Sequence, residues 1–267
     1  MPYVDMRTED RVAIVTMNRP ERLNALGPAL IAELTDTFRR LHRERDIGAV
    51  VVEGAGDGFC SGADLVGDGG PAPDTEGRGP VGTVYRSQEQ LVEMILAIHE
   101  CDKPVVAAVH GAAVGGGLAI ALACDLRVAT PTTRFGAVFI KVGLSSCDVG
   151  VSYFLPRIIG VTRAAELMLT GRHFSGEEAE RFGMLNALVP EGDETRTAID
   201  LAARVAENTE YGVWMTKRGL WANLDAPSIR HALELENRTQ VLGTFTGNMT
   251  NAMIAFREKR PPEWSPM

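Results

Sequence analysis

The chain has 267 residues, and its 27 Lys and Arg against 35 Asp and Glu give a net charge of −8. That length allows a substantial core without covalent staples, and 45% hydrophobic against 23% charged residues excludes wholesale disorder. The acidic balance and the lack of a basic stripe argue against nucleic-acid binding.

The cysteines and histidines indicate a reduced protein without a metal site. The four cysteines lie far apart with no C-x-x-C pair, and the five histidines are scattered. We therefore expect neither a disulfide framework nor bound zinc. The first residues, MPYVDMRTEDR, lack the apolar segment of a signal peptide. Together these features predict a cytoplasmic location.

The predicted elements alternate between strands and helices along the first two thirds of the chain. Alternating or β-branched runs predict strands at 11–17, 48–53, Val105–Val109 and Leu126–Ala129. Apolar residues at helical spacing predict helices at 28–45, 87–100, 176–182, 194–208, 212–222, 227–242 and 249–259. A Gly- and Pro-rich stretch at 66–82 predicts a surface loop. This order predicts an α/β fold with a purely helical last third.

One uncharged stretch, between Lys103 and Asp125, is long enough to cross a bilayer. It begins with Pro104 and a β-branched run, and a glycine triplet at 115–117 interrupts it. That composition favours a buried strand, a glycine turn and a buried helix over a membrane span. We therefore expect no membrane partner.

Two glycine-rich turns are the strongest candidates for chemistry. The first is FCSGADL at 59–65, and the second is HGAAVGGG at 110–117. Small residues leave backbone N–H groups uncovered at such turns, and two N–H groups aimed at one point form an oxyanion hole. The alternative is structural, because glycines also let a helix pack closely on a sheet.

The order of several short motifs along the chain resembles the crotonase family, the enoyl-CoA hydratases and isomerases. The matching segments are NRP at 18–20, NAL at 24–26, FCSGADL at 59–65, KPVVAAVHG at 103–111, GGG at 115–117, ACD at 123–125, FG at 135–136, LPR at 155–157, LTG at 169–171 and the A-x-x-x-G pattern at 179–183. The resemblance implies a core of ββα turns wound into a spiral over residues 1–193. It also implies a helical oligomerisation region at 194–267 that forms trimers or hexamers.

The resemblance also implies a ligand and the residues that hold it. The ligand is an acyl-coenzyme A thioester, which enters as substrate, so no permanently bound cofactor is expected. The implied oxyanion donors are the backbone amides of Ala63 and Gly116. The residues implied to border the substrate are Asn24, Ala25, Leu26, Ser61, Gly62, Asp64, Leu65, Gly115 and Phe139.

The chain departs from the family at two positions where hydratases carry acid–base glutamates. Ala119 and Phe139 stand there, and neither side chain can transfer a proton. Asp148 is the candidate substitute, because the segment GLSSCDVG at 143–150 resembles one in dienoyl-CoA isomerases. The alternative is that Asp148 caps a helix that starts near Val149.

Other polar candidates are expected to be structural. Asp64 is predicted to hold its turn through its side chain, Cys60 and Cys147 to be buried, inert thiols, and His110 to pack. The apolar residues of the last helices exceed what a lone helical tail needs, which favours burial against another subunit: Leu220, Trp221, Leu224, Leu233, Leu235, Val241 and Phe245. Two functions stay open: an acyl-CoA hydratase or isomerase that uses Asp148, and a non-catalytic acyl-CoA-binding protein.

Overall fold

The structure, a computed structural model, describes residues 2–67 and 74–266. The described strands are β1 Val4–Glu9, β2 Val12–Met17, β3 Ala49–Gly54, β4 Val105–Val109, β5 Ala112–Val114, β6 Leu126–Ala129, β7 Arg134–Gly136, β8 Phe174–Ser175 and β9 Ala187–Leu188. The described α-helices are α1 Pro28–Leu41, α2 Pro80–His99, α3 Gly116–Ala123, α4 Val151–Ile159, α5 Val161–Thr170, α6 Gly176–Arg181, α7 Glu194–Ala206, α8 Glu210–Leu224, α9 Ile229–Thr244 and α10 Asn248–Glu258.

A six-stranded sheet in the order β1-β2-β3-β4-β6-β9 forms the centre of the molecule. Only the β1–β2 pair in this sheet is antiparallel; the other neighbours are parallel. Every residue of β3 and β4 is buried. Parallel strands have helices on both faces, which is why these two read as continuous apolar runs rather than alternating ones.

Side chains of the central strands alternate between two apolar layers, as the two-residue period of a strand requires. Ala13, Val15, Val50 and Val52 face a large cluster that includes residues of α1, α2, α3 and α4. Val12, Ile14, Ala49 and Val51 face a smaller cluster completed by Ala198, Ile199, Ala202 and Ala206 of α7. The sheet is therefore covered on both sides.

The uncharged stretch between Lys103 and Asp125 folds within the core, as predicted. It forms β4, the short strand β5 and helix α3, whose eight residues are all buried. A helix that is apolar on every side belongs inside a packed core. Within residues 2–67 and 74–266, no helix combines the length and apolar character that a membrane crossing needs.

Most long predicted elements are confirmed, with shifted ends. The helix predicted at 28–45 ends at Leu41, and the helix predicted at 87–100 begins at Pro80, inside the predicted loop. Positions 68–73 of that loop lie outside the described residues. The prediction of a purely helical last third is wrong, because β9 adds an edge strand to the sheet beside β6.

The last three helices keep apolar side chains at the surface. Helix α9 has no buried residue, and α8 buries only Lys217. The exposed apolar side chains of α8–α10 and their connections include Leu220, Leu224, Ile229, Leu233, Val241, Leu242, Phe245, Met249, Met253, Ile254 and Phe256. Trp221 is less exposed, since it packs against the main core and contacts His99 and Phe154 edge to face.

Candidate active site

The first glycine-rich turn follows β3 and leaves one backbone amide unused. Ala63 forms an isolated parallel bridge with Leu26. The amide of Leu26 donates to the carbonyl oxygen of Gly62 at 2.7 Å, and the amide of Asp64 donates to the carbonyl oxygen of Leu26 at 3.1 Å. Successive N–H groups of an extended chain point in opposite directions. The N–H of Ala63 therefore points away from Leu26, and no backbone hydrogen bond between described residues uses it.

The second turn opens helix α3, and no backbone hydrogen bond between described residues uses the amide of Gly116. Strand β5 ends at Val114, and Gly115 is the N-cap with φ 54° and ψ −118°. The amide of Gly115 donates to the carbonyl oxygen of Gly136 at 2.9 Å. Gly116 is the first helical residue, so its N–H has no partner within the helix. The helix dipole adds a positive partial charge at this end.

The two turns press against each other through their glycines. A Cβ on Gly62, whose φ is +85°, would lie 3.3 Å from the amide nitrogen of Gly116. A Cβ on Gly117 would lie 2.1 Å from the carbonyl oxygen of Cys60, a distance that no side chain can occupy. The close-packing interpretation of the glycines is thus confirmed. The same packing sets the backbone next to Ala63 against that of Gly116.

The side chain of Asp64 stabilises the first turn through ion pairs and hydrogen bonds. Its Oδ1 lies 2.8 Å from Arg22 Nη2, and its Oδ2 lies 2.8 Å from Arg19 Nη1. The amides of Val66 and Gly67 also donate to Oδ1, at 3.2 and 3.1 Å. The Arg22 guanidinium, with help from Arg19 and the two amides, lowers the pKa of Asp64 to about 2. The carboxylate therefore holds the turn as an ion, as predicted.

Asn24, Ala25 and Leu26 form the buried support behind the first turn. Asn24 is fully buried, and its Nδ2 donates to the carbonyl oxygens of Ala55 and Gly58 at 2.9 and 2.8 Å. Ala25 and Leu26 are also buried. These residues lie next to the first turn, and the Asn24 side chain is occupied by the protein backbone.

The two ends of the first turn differ in exposure. Ser61 is half-buried, and its hydroxyl donates to the carbonyl oxygen of Arg22 at 3.3 Å. Leu65 is 76% exposed. The turn therefore runs from the interior to the surface within five residues.

Asp148 lies on a strained turn, with one carboxylate oxygen held from two sides. Its Oδ1 accepts a hydrogen bond from the amide of Val149 at 2.9 Å and another from Nε2 of Gln88 in α2. Val149 has φ +38°, a region that β-branched residues rarely adopt. Helix α4 begins at Val151 with Gly150 as its N-cap and no capping side chain. The alternative prediction that Asp148 caps this helix is therefore wrong.

Of the two positions that lack a proton-transfer group, one lies in the first turn of α3 and the other lies near its N-cap. Ala119 is fully buried in α3. Phe139 belongs to a short 3-10 helix, Val138–Val142, and is partly buried against the core. Its ring edge lies 3.9 Å from where a Cβ of Gly115 would be. An aromatic ring therefore faces the second turn at this point.

The remaining polar candidates have structural surroundings. Burial raises the pKa of the Cys60 thiol to about 12, so it stays protonated and unreactive. Cys147 is exposed, so the prediction that it is buried is wrong. The Nε2 of His110 lies 2.8 Å from the carbonyl oxygen of Gly56, which fixes the ring beside the first turn. The packing role predicted for His110 agrees with this contact.

Sequence reasoning missed three residues that shape the site. Gln88 touches Asp148 from 60 positions away, and Arg22 reaches Asp64 from 42 positions away. No sequence pattern joins these pairs. Arg19 lies within the NRP motif, so a signal for its importance was present, although not for its partner.

Comparison with known proteins gives one consistent family. The family model described as "Enoyl-CoA hydratase/isomerase" matches residues 7–266. A probable enoyl-CoA hydratase of Mycobacterium leprae is 40% identical over 94% of this chain and 85% of its own length. A 1,2-epoxyphenylacetyl-CoA isomerase of Escherichia coli is 32% identical over 99% of both chains.

The fold agrees with the same group. The crystal structure of a probable enoyl-CoA hydratase/isomerase from Mycobacterium abscessus superimposes with a TM-score of 0.92 at 39% identity, covering 98% of each chain. The expected α/β crotonase fold with a helical C-terminal region is therefore confirmed.

Proposed function

Because this chain belongs to the enoyl-CoA hydratase/isomerase family, we propose that it moves a double bond within an unsaturated acyl-coenzyme A thioester. In this proposal the amides of Ala63 and Gly116 bind the thioester oxygen, and Asp148 moves the proton. Coenzyme A enters as part of the substrate rather than as a resident cofactor. The single observation that carries the proposal is one half-buried carboxylate with a fixed oxygen, in a chain whose two glycine-rich turns leave the amides of Ala63 and Gly116 without a backbone partner among the described residues.

The proposed oxyanion hole rests on backbone groups. When a proton leaves a carbon conjugated with the thioester, negative charge develops on the carbonyl oxygen. Preorganised N–H donors stabilise that charge, and the loss of one such donor costs about 3–4 kcal/mol in other enzymes. The turns that carry Ala63 and Gly116 are locked by glycine packing, which supports preorganisation.

The proposed proton transfer needs one carboxylate. Asp148 takes a proton from the acyl chain, so that a C–H bond breaks, an O–H bond forms and the electron pair moves into the enolate. Return of the proton to another carbon shifts the double bond and restores the carboxylate. No water is consumed. Hydration by the two-glutamate route is disfavoured, because Ala119 and Phe139 carry no ionisable group.

The substrate is proposed to lie along the first turn. Its coenzyme A part would pass Ser61, Gly62 and Leu65 over the support formed by 24–26, and its acyl part would pass Gly115 towards Phe139. Two features support this course. Leu65 reaches the surface, where the polar part of the ligand would remain, and the Phe139 ring adds apolar contact beside the second turn.

The test is absorbance of 2-enoyl-, 3-enoyl- and dienoyl-CoA thioesters with purified protein, together with ligand binding on the same samples. We expect the wild type to shift a double bond, and Asp148→Asn to lose about 10²–10⁴-fold in kcat with binding unchanged. The matched control is Asp36→Asn, an exposed aspartate on α1, which is expected to keep full activity.

Three results would contradict the proposal. Formation of 3-hydroxyacyl-CoA by the wild type would indicate a hydratase. Full activity in Asp148→Asn would remove Asp148 from the chemistry. Binding without turnover across the panel would favour the second candidate, an acyl-CoA-binding protein, which the loss of both glutamate positions supports.

A further inference from the structure

The side-chain contact between α2 and the turn before α4 makes the two oxygens of Asp148 unequal. Gln88 Nε2 and the Val149 amide both donate to Oδ1. No hydrogen bond or ion pair between described residues involves Oδ2. One oxygen is therefore held and the other is available.

A hydrogen-bond donor outside the turn is needed to fix the orientation of the Asp148 carboxylate. The terminal torsion of an aspartate side chain is broad and soft, so its two oxygens exchange unless neighbouring groups fix them. The Val149 amide is part of the same turn and moves with it. Gln88 is on a 20-residue helix that packs in the main core through Met94, Ile95 and Ile98. The hydrogen bond from Gln88 therefore links the Asp148 carboxylate to helix α2, which is packed in the main core.

Asp64 shows what a charged partner does in the same protein. Two guanidinium groups surround it, and its pKa is about 2. Such a carboxylate is a poor proton acceptor at neutral pH. Gln88 supplies a donor without a charge, and Asp148 takes part in no ion pair within the described part of the chain. A neutral amide therefore fixes one oxygen without placing a positive charge beside the carboxylate.

We propose that Gln88 is a positioning residue that fixes the Asp148 carboxylate so that Oδ2 alone exchanges protons with the acyl chain. This inference rests on the proposed function of Asp148. The side-chain NH2 of glutamine donates only, so Oδ1 must remain an acceptor throughout. The proton taken from carbon therefore forms an O–H bond at Oδ2 and leaves from the same atom when it returns to the acyl chain.

The test uses two variants of Gln88 in the full chain, with kcat, KM and the pH profile as readouts. Gln88→Leu removes the donor at similar size. We expect kcat to fall about tenfold while KM stays within about twofold, because orientation rather than binding is lost. An N–H donated to a carboxylate favours its ionised form. The acidic limb of the kcat/KM profile is therefore expected to move to higher pH.

Gln88→Glu keeps the shape but donates only when protonated. We expect this variant to be most active at acidic pH and to lose activity as the new glutamate ionises beside Asp148. The matched control is Glu89→Gln, the neighbouring exposed position on α2, for which we expect the wild-type rate and profile. A second readout is incorporation of deuterium from D2O into the acyl chain, measured by mass spectrometry.

The outcomes separate this inference from the proposed function. If Asp148→Asn is inactive while Gln88→Leu keeps the wild-type kcat and pH profile, the positioning role is overturned and the proposed function stands. If Gln88→Leu lowers kcat only in proportion to a loss of folded protein, with an unmoved profile, its role is structural and the inference fails. If the wild type shows neither turnover nor deuterium incorporation, the proposed function fails and the inference with it.

Discussion

Two regions of the molecule differ in how tightly they are packed. The first is the sheet with its two glycine-rich turns, and the second is the group of helices α8–α10. In the first region, a Cβ added to Gly117 would meet the carbonyl oxygen of Cys60 at 2.1 Å. In the second region, a Cβ added to Gly219 of α8 would meet nothing within 4 Å. The glycine-rich turns are closely packed by residues of the same chain, whereas α8–α10 leave apolar side chains exposed.

The tightly packed region carries the proposed catalytic groups, whereas the exposed apolar surface of α8–α10 is suited to contact with another protein chain. The turns that hold Ala63 and Gly116 get their geometry from contacts inside one chain, so the proposed oxyanion hole does not depend on a single side chain. Many large apolar side chains of α8–α10 are exposed in the single chain, although Trp221 packs on the core. Monomers rarely expose large contiguous apolar patches unless these bind something. We therefore propose that a second copy of this chain covers them in a trimer or hexamer.

The largest expected effect comes from adding the same methyl group to both regions. Gly117→Ala forces a side chain against backbone that cannot move aside, and we expect the free energy of unfolding to fall by about 3 kcal/mol or more. Gly219→Ala places the methyl group in open space within a helix, and we expect a gain of about 0.5–1 kcal/mol. Urea unfolding of both variants measures the contrast. Equal effects would show that the first region is not tightly packed.

A charged side chain placed on the exposed apolar surface of α8–α10 tests whether this surface joins copies of the chain. Phe245 follows α9 and is 81% exposed. Phe245→Glu is expected to shift the protein from oligomer to monomer in light scattering, with monomer stability changed by about 0.5 kcal/mol or less. Arg230→Glu, at an exposed position of α9, is the control and should keep the wild-type assembly. A monomeric wild type would show that no copy of the chain covers this surface.

The sequence predicts the tightly packed region better than the details of the site. The strands β2, β3 and β4 are β-branched runs, and such runs identify buried parallel strands. The strands β5, β7, β8 and β9 have two or three residues each, too few to show a period. The α/β class, the glycine turns and the helix at 176–182, which the structure has as Gly176–Arg181, could all be predicted.

Contacts between distant segments could not be predicted in the same way. Gln88 meets Asp148, and Arg22 meets Asp64, only because the folded chain brings a helix or a loop beside a turn. The position of Asp148 itself was accessible through a family resemblance, yet its environment was not. The helix-cap alternative failed because Val149 and Gly150 adopt positive φ values and delay the helix by two residues.

The smallest expected effect is the loss of stability when the Asp64 carboxylate, which stabilises the first turn, loses its charge. This effect depends on pH. The folded-state pKa of Asp64 is about 2, below the value of about 3.9 for an unperturbed aspartate. Its contribution to stability is therefore fully present above about pH 4 and disappears as pH falls through about 2. Asp64→Asn should lower the unfolding midpoint at pH 7, and its difference from the wild type should shrink between pH 4 and pH 2. Asp46→Asn, at an exposed position, should follow the wild type throughout. A constant difference at every pH would mean that Asp64 holds the turn by shape rather than by charge.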